Sequence, residues 1–306
     1  MTTIERFGPY RVELSNQDKL FFPGEEITKG DLIDYYRDVA QVMLPHLENR
    51  PLTLHRFPDG IENDGFYQQQ ASDYFPEWLQ TLETPRANGD SKPVKHVLCN
   101  NRATLVYLAN QGVVAFHGWA SRSPRLGSPD RLIFDLDPPN EDFDAVRWAA
   151  KRIVGLMKDL GMSPFPMTTG SRGLHILAPL RNDAGFDEVR ELARDTAGLL
   201  AQQHSDALTV EQRKNKRHGR IYLDVSRNAY GQTAVMPYSV RALPEAPVAT
   251  PLSLEELNDG KLGPRRWRID NIFRRLGQKD DPWKTIRKHA KTYRAVRAAL
   301  DDLRND

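Results

Sequence analysis

Apolar and polar positions change their period several times along the chain, and each change marks an element. Leu32, Tyr35, Tyr36, Val39 and Val42 recur at helical spacing behind Thr28, with Asp31 three positions on, which predicts a helix that starts on a capping residue and ends near Pro45. LTLHRF (52–57) alternates as a half-buried strand does, and Pro58-Asp59-Gly60 closes it. RLIFDLD (131–137) is a short apolar run ending in two acids and two prolines, the pattern of a buried strand whose last residues reach the end of a sheet. A helix from Phe143 to Leu160 stops at Gly161; PFPMTTGSRGLHILAPL (164–180) then reads as strand, tight glycine-bounded turn and strand. Phe186 to Gln203 is a second amphipathic helix. RIYLDVS (220–226) and TAVMPYSVR (233–241) predict two strands flanking the Gly231 turn, and the chain from Leu252 reads as helical and basic, broken at Pro264 and Pro282. Several strand pairs are joined too briefly for a crossover helix, so the fold class is α+β, with mixed or antiparallel sheets and no purely parallel doubly wound core.

No repeat, low-complexity tract or Gly/Ser linker interrupts the 306 residues, which predicts a single domain over 1–306. Hydrophobic residues make up 39% and charged residues 27%, with five Trp and twelve Phe, enough for a sizeable core. A membrane span needs roughly 18 successive apolar residues. None occurs, and MTTIERFGPY lacks the order of a secretory signal, so the expected location is cytoplasmic, near the nucleoid, with no membrane partner. Cys99 is the only cysteine, which excludes an internal disulfide and a multi-cysteine zinc site. The net charge of +2 rules out attraction to nucleic acid by the whole surface, but 213–220 (RKNKRHGR), 265–268 (RRWR) and 287–297 are locally basic.

Asp135 and Asp137, two apart on a strand, share one face, and paired carboxylates of this kind suit hard cations. Taken alone, the pair is equally well a set of turn acids. Asp224, ending the apolar run RIYLD, adds a third strand-borne carboxylate. TTGSRGLH (168–175) offers glycines, hydroxyls and Arg172 to a polyphosphate, and Arg241 supplies a further cation if its strand lies beside Asp224. An Asp-x-Asp after an apolar strand also suits a haloacid-dehalogenase-like phosphatase. Against that stand the 130 or so residues preceding the motif and the Pro138-Pro139 that follows it.

IFDLDP, TTGSRGLH and YLDVSRNAYGQTAVMPYSVR, in that order, resemble the catalytic motifs of the archaeo-eukaryotic primase superfamily, and most closely the polymerase domain of bacterial ligase D, from about Val12 to near Pro251. The resemblance implies a primase-polymerase fold with an RRM-like catalytic half at about 126–251. Before it would stand an N-terminal part carrying a 5′-phosphate pocket (about 1–125), and after it a basic helical part (about 252–306). It implies two Mn2+ or Mg2+ ions on Asp135, Asp137 and Asp224, and a nucleoside triphosphate held by Ser171, Arg172, His175, Arg241 and His117, with His55, Arg56 and Arg227 nearby. Asn16, Lys19 and Lys29 match a pocket for a DNA 5′-phosphate, Phe66 and Tyr67 match aromatics that stack on template bases, and Arg217 matches a loop that approaches the DNA backbone. His55-Arg56 stands where relatives often carry Lys-Arg, and Ser226-Arg227-Asn228 where many carry Ser-Gln-Asn. The implied activity is template-directed extension of DNA, favouring ribonucleotides, on gaps, overhangs and 5′-phosphorylated ends during non-homologous end joining, with Ku and a DNA ligase as partners. The competing class is a non-catalytic module that binds or bridges DNA ends.

Overall fold

The computed structural model describes residues 2–86 and 92–305. It divides into two compact units that interleave in sequence: Met1–Trp119, Thr233–Ala249 and Trp267–Asp280 form the first, and Ala120–Gln232, Thr250–Arg266 and Asp281–Asp306 the second. Helices and antiparallel sheets mix in both, as the α+β reading expects.

In the first unit the helix Lys29–Leu47 starts on Thr28, whose hydroxyl accepts from the Asp31 amide at 3.1 Å while Asp31 accepts from the Thr28 amide at 2.8 Å. Such reciprocal capping is worth about 1 kcal/mol. Leu32, Tyr35, Tyr36 and Val39 are buried, as the spacing predicts. They meet a sheet in the order Thr233–Val235, Val113–Trp119, Leu52–Arg56, Val94–Val97 and Thr81–Thr84, with Phe66–Gln68 also paired to Leu52–Arg56. Tyr36 ties this core together: its hydroxyl donates to the Val114 carbonyl at 2.7 Å and accepts from the Val240 amide at 3.0 Å.

In the second unit, Ile221–Asp224, Arg131–Asp137, Leu174–Pro179 and Phe165–Thr168 lie side by side in that order, each pair antiparallel. With the helices Phe143–Asp159 and Phe186–Gln203 between them in sequence, this is the β-α-β-β-α-β arrangement of an RRM-like half. Period-2 alternation decides the faces. Leu132, Phe134 and Leu136 are fully buried in the same apolar cluster as Val146, Ala149, Leu192 and Ala193 of the helices, so Asp135 and Asp137 must point the other way.

Three expectations need correction. TAVMPYSVR does not pair with RIYLDVS: the neighbours of Ile221–Asp224 are Leu208–Thr209 and Arg131–Asp137, whereas Thr233–Val235 pairs with Val113–Trp119 in the first unit. The premise that set Arg241 beside Asp224 on a neighbouring strand therefore fails. Both edges of Ile221–Asp224 are already taken, and its ladder with Arg131–Asp137 ends at Asn228. The Asn228 side chain accepts from the Ile133 amide at 2.8 Å and donates to the Ile133 carbonyl at 2.7 Å, taking the ladder positions a longer strand would have used. Lastly, the basic C-terminal stretch is mostly turns and short 3-10 segments; its α-helices are Ile272–Leu276 and Tyr293–Asn305. Pro264 and Pro282 interrupt it, and its chain is shared between both units.

Asn228 is fully buried, and a third bond runs from its amide to the Val225 carbonyl at 2.9 Å. Asn228→Ala leaves buried backbone groups of Ile133 without partners, so unfolding free energy should fall by about 2–4 kcal/mol, measurable by urea titration. A loss under about 0.5 kcal/mol, the size of an ordinary surface change, would contradict this role.

Candidate active site

Asp135 stands directly opposite Asp224 on one neighbouring strand and His175 on the other. Asp137, two residues on, shares its face and lies opposite Tyr222. Facing residues on paired strands hold their Cβ atoms ~5 Å apart, so all three acids meet on one face at one end of the sheet.

Their charges are answered by a ring of arginines and a histidine. Asp135 is approached by His175 Nε2 and Arg227 Nε, each at 3.4 Å. Burial is the largest influence on Asp135 and opposes its ionisation, but His175 and Arg227 together outweigh it and hold the carboxyl below its ordinary range. Asp137 faces Arg172 and Arg217, each at 3.3 Å. Asp224 accepts from the Ser226 amide at 2.7 Å and from the Tyr222 hydroxyl at 3.3 Å. Tyr222, whose pKa is raised to about 12 first by burial and then by Asp224, lies under the guanidinium of Arg217 at 4.1 Å. Arg217 is buried, and its other donors reach the carbonyls of Glu211 and Gln212 at 3.2 and 2.9 Å. The structure thus sets it against Asp137 within the site, a different setting from a loop cation reaching outward to a DNA backbone.

The turn between Phe165–Thr168 and Leu174–Pro179 is shaped by Thr169, whose hydroxyl donates to the Gly173 carbonyl at 3.1 Å and accepts from the amides of Ser171 and Gly173, both at 3.3 Å. Thr168 and Thr169 are buried, the Thr168 hydroxyl bonded to the Thr250 backbone and the Thr169 hydroxyl building the turn, so Ser171 and Arg172 remain outermost. Gly173 is there for space: a Cβ at this position would sit 2.1 Å from the Leu136 carbonyl oxygen. Arg265 had drawn attention only as part of a basic cluster, yet its Nε donates to the Ser171 carbonyl at 3.0 Å and braces the turn. Thr169 and Tyr222 lie within the catalytic motifs, which give them no individual role, and Arg265 carries no motif signal, because its partner is far off in sequence. His175 is buried, and its Nδ1 meets no hydrogen-bond partner among the described residues.

The first unit carries the other predicted residues in two places. His55 stacks on Tyr67 with centroids 4.0 Å apart and planes at 8°, and His117 meets Tyr67 edge-on at 5.6 Å. Burial first, and the nearby charge of Arg241 second, lower the His55 pKa to about 4, so this imidazole is neutral at pH 7. Arg56 is buried and spends its donors on the protein itself. Elsewhere Asn16, Lys19 and Lys29 converge: the Asn16 carbonyl accepts from the Lys19 amide at 3.1 Å, and the Lys19 carbonyl from the Lys29 amide at 2.7 Å. Lys29 Nζ donates to the Ser15 carbonyl at 2.6 Å, and Lys19 Nζ to the Pro58 carbonyl at 2.9 Å and to the Asp59 carboxylate.

A sequence model described as LigD, primase-polymerase domain matches residues 28–283. The chain belongs to that family. This makes it a nucleotidyltransferase of the polymerase-primase kind and sets aside the haloacid-dehalogenase reading. All the acids and arginines of the second-unit site fall inside the match. The chain is 32% identical over 281 residues to the multifunctional non-homologous end joining protein LigD of Mycolicibacterium smegmatis, covering 91% of this chain and 36% of that protein. It is 29% identical to the bifunctional LigD of Bacillus subtilis, covering 89% of this chain and 44% of that protein. It therefore spans well under half the length of these relatives. The polymerase domain of Mycobacterium tuberculosis ligase D, solved in complex with DNA, superposes with a TM-score of 0.85 at 30% identity, covering 92% of this chain and 99% of that one. No helix among the described residues is long and apolar enough to cross a membrane.

Proposed function

We propose that this chain adds nucleotides to a DNA strand, filling gaps or extending ends in double-strand break repair by non-homologous end joining. The observation that carries this is the register that sets Asp135, Asp137 and Asp224 on one face at the end of the RRM-like sheet, beside the turn bearing Ser171 and Arg172. Among the described residues no three His, Cys, Asp or Glu side chains form a ready-made cation cage, since each carboxylate is turned to protein donors. The donor set still fits: three hard carboxylate groups from adjacent strands suit Mg2+ or Mn2+. Such ions, when held by these acids, supply activation of the attacking hydroxyl and neutralisation of the leaving group.

The chain's own residues do the rest. Arg172, exposed at the turn, and the Ser171 hydroxyl bind triphosphate oxygens. His175 and Arg227 hold Asp135 ionised and oriented. Within the first unit, the neutral His55, His117 and Arg241 are assigned to nucleotide contacts, with Arg56 bracing that region through its bonds to Gln111, Gln68 and Tyr74, and Phe66 and Tyr67 stack on template bases. Asn16, Lys19 and Lys29 hold the 5′-phosphate across a gap. Ribonucleoside triphosphates are the preferred substrates, and Ku and a DNA ligase the partners in the cytoplasm. The test is incubation with a gapped, 5′-phosphorylated duplex, Mn2+ or Mg2+, and labelled ribo- or deoxyribonucleotides. Extension supports the proposal. Binding without extension supports the non-catalytic end-binding module instead.

Lys29 gives the 5′-phosphate pocket a pH dependence. Burial first, and Lys19 second, lower its pKa from 10.5 to about 8, so the folded protein surrenders this proton more readily than the unfolded chain. Its contribution to stability therefore rises as pH climbs from about 8 towards 10.5, whereas phosphate binding needs the ammonium and weakens over the same range. The advantage of a 5′-phosphorylated over an unphosphorylated downstream strand should be full near pH 6.5, well below that pKa, and decline as pH passes about 8. Lys19→Ala with Lys29→Ala should remove it at every pH. Equal losses on both substrates would count against the pocket.

A further inference from the structure

Phe66 and Tyr67 are neighbours on one strand, so they stand on opposite faces. Register confirms it: Tyr67 lies opposite His55, and Phe66 opposite Arg56. Tyr67 belongs with the imidazoles of His55 and His117. Phe66 belongs with a different aromatic, one that no motif singles out.

That residue is Tyr74. Arg56, only 8% exposed, donates Nη1 to the Gln68 side chain at 2.7 Å and to the Tyr74 hydroxyl at 3.0 Å, and its guanidinium lies 5.5 Å from the centroid of the Phe66 ring. One buried cation thus anchors both rings. Phe75 packs against Tyr74 edge-to-face at 5.1 Å and 89°. Despite these restraints Tyr74 is 62% exposed and Phe66 46%. An exposed tyrosine ordinarily keeps its rotamer freedom; here the hydroxyl is bonded to Arg56 and the ring is packed against Phe75, so the entropy of presenting the ring has already been lost on folding. A ring ordered this way adds little apolar burial to its own chain and offers an open π face.

The surrounding charge says what such a face takes. Glu62, Asp64 and Asp73, exposed and within a few residues of Phe66 or Tyr74 along the chain, add negative charge to these segments, which costs a phosphate more than an uncharged base. An uncharged nucleobase swung away from its backbone meets no such penalty, and stacking is indifferent to base identity. We infer that Tyr74 and Phe66 form a second stacking surface, separate from that of Tyr67, for an unpaired base of a DNA overhang or gap. This rests on the DNA-extending function proposed above.

Fluorescence anisotropy with a labelled duplex bearing a single-stranded overhang tests it, using the full chain and the variants Tyr74→Ala, Tyr74→Leu, Tyr74→Phe and Phe66→Ala. Tyr74→Ala and Tyr74→Leu should each weaken binding roughly five- to tenfold, as Phe66→Ala does, and Tyr74→Phe, which keeps the ring, should lose less. The dependence of affinity on salt should not change, because no phosphate contact is removed. Replacing the overhang bases by abasic sugars should erase the difference between wild type and variant. The inference is overturned if Tyr74→Leu binds the overhang like wild type, if the loss persists on the abasic overhang, or if the salt dependence becomes shallower. Failure of folded wild type and Phe66→Ala alike to bind any overhang would instead overturn the DNA-extending reading, and this inference with it.

Discussion

Asp137→Ala will abolish strand extension, by at least ~10³-fold in single-turnover rate, while the protein stays folded and binds gapped DNA. The side chain is one-third exposed at the end of its strand and supports no core contact, so its loss leaves no cavity. What it removes is a carboxylate facing Arg172 and Arg217, so the local balance becomes more positive just where a metal–triphosphate complex is proposed to sit. Asp137→Asn, which keeps the shape, should be almost as inactive, separating charge from packing. Near-normal extension by either variant would show that the site lies elsewhere.

Gly173→Ala should have the second-largest effect, despite adding a single methyl. The new Cβ would stand 2.1 Å from the Leu136 carbonyl oxygen, a backbone atom that cannot rotate aside. Either the turn carrying Ser171 and Arg172 or the strand end carrying Asp137 must move. A misplacement of about 1 Å at a reacting centre is enough for a loss of about 10²-fold, and relief of the clash should cost about 1–3 kcal/mol of stability. Extension rates and urea titration measure the two. Because the clash is with backbone, Gly173→Ser should behave alike. Activity within threefold of wild type in both variants would mean that the loop adapts freely.

The main elements were legible because their local signals agree with their tertiary setting. The Thr28 capping box, the apolar run RLIFDLD and the period of Phe186 to Gln203 all reappear in the structure within a residue or two. TAVMPYSVR misled because strand periodicity says nothing of which sheet a strand joins, and both edges of Ile221–Asp224 were already paired. Arg56 and Arg217 show a different limit. An arginine's reach lets it turn inward onto carbonyls and rings that a sequence pattern does not reveal.

By itself the sequence determined the α+β class, the order of the catalytic motifs and the presence of three strand-end acids, since each of these is a property of residue type and spacing along one segment. Tertiary structure alone decided which residues become neighbours. It set Asp224 and His175 on either side of Asp135, placed Tyr222 and Arg217 against the acids, and pinned Tyr74 to Arg56. The physical reason is that hydrogen-bonded register, close packing around Gly173 and the folding-back of long cationic side chains join atoms tens to nearly a hundred positions apart, over which no local periodicity extends.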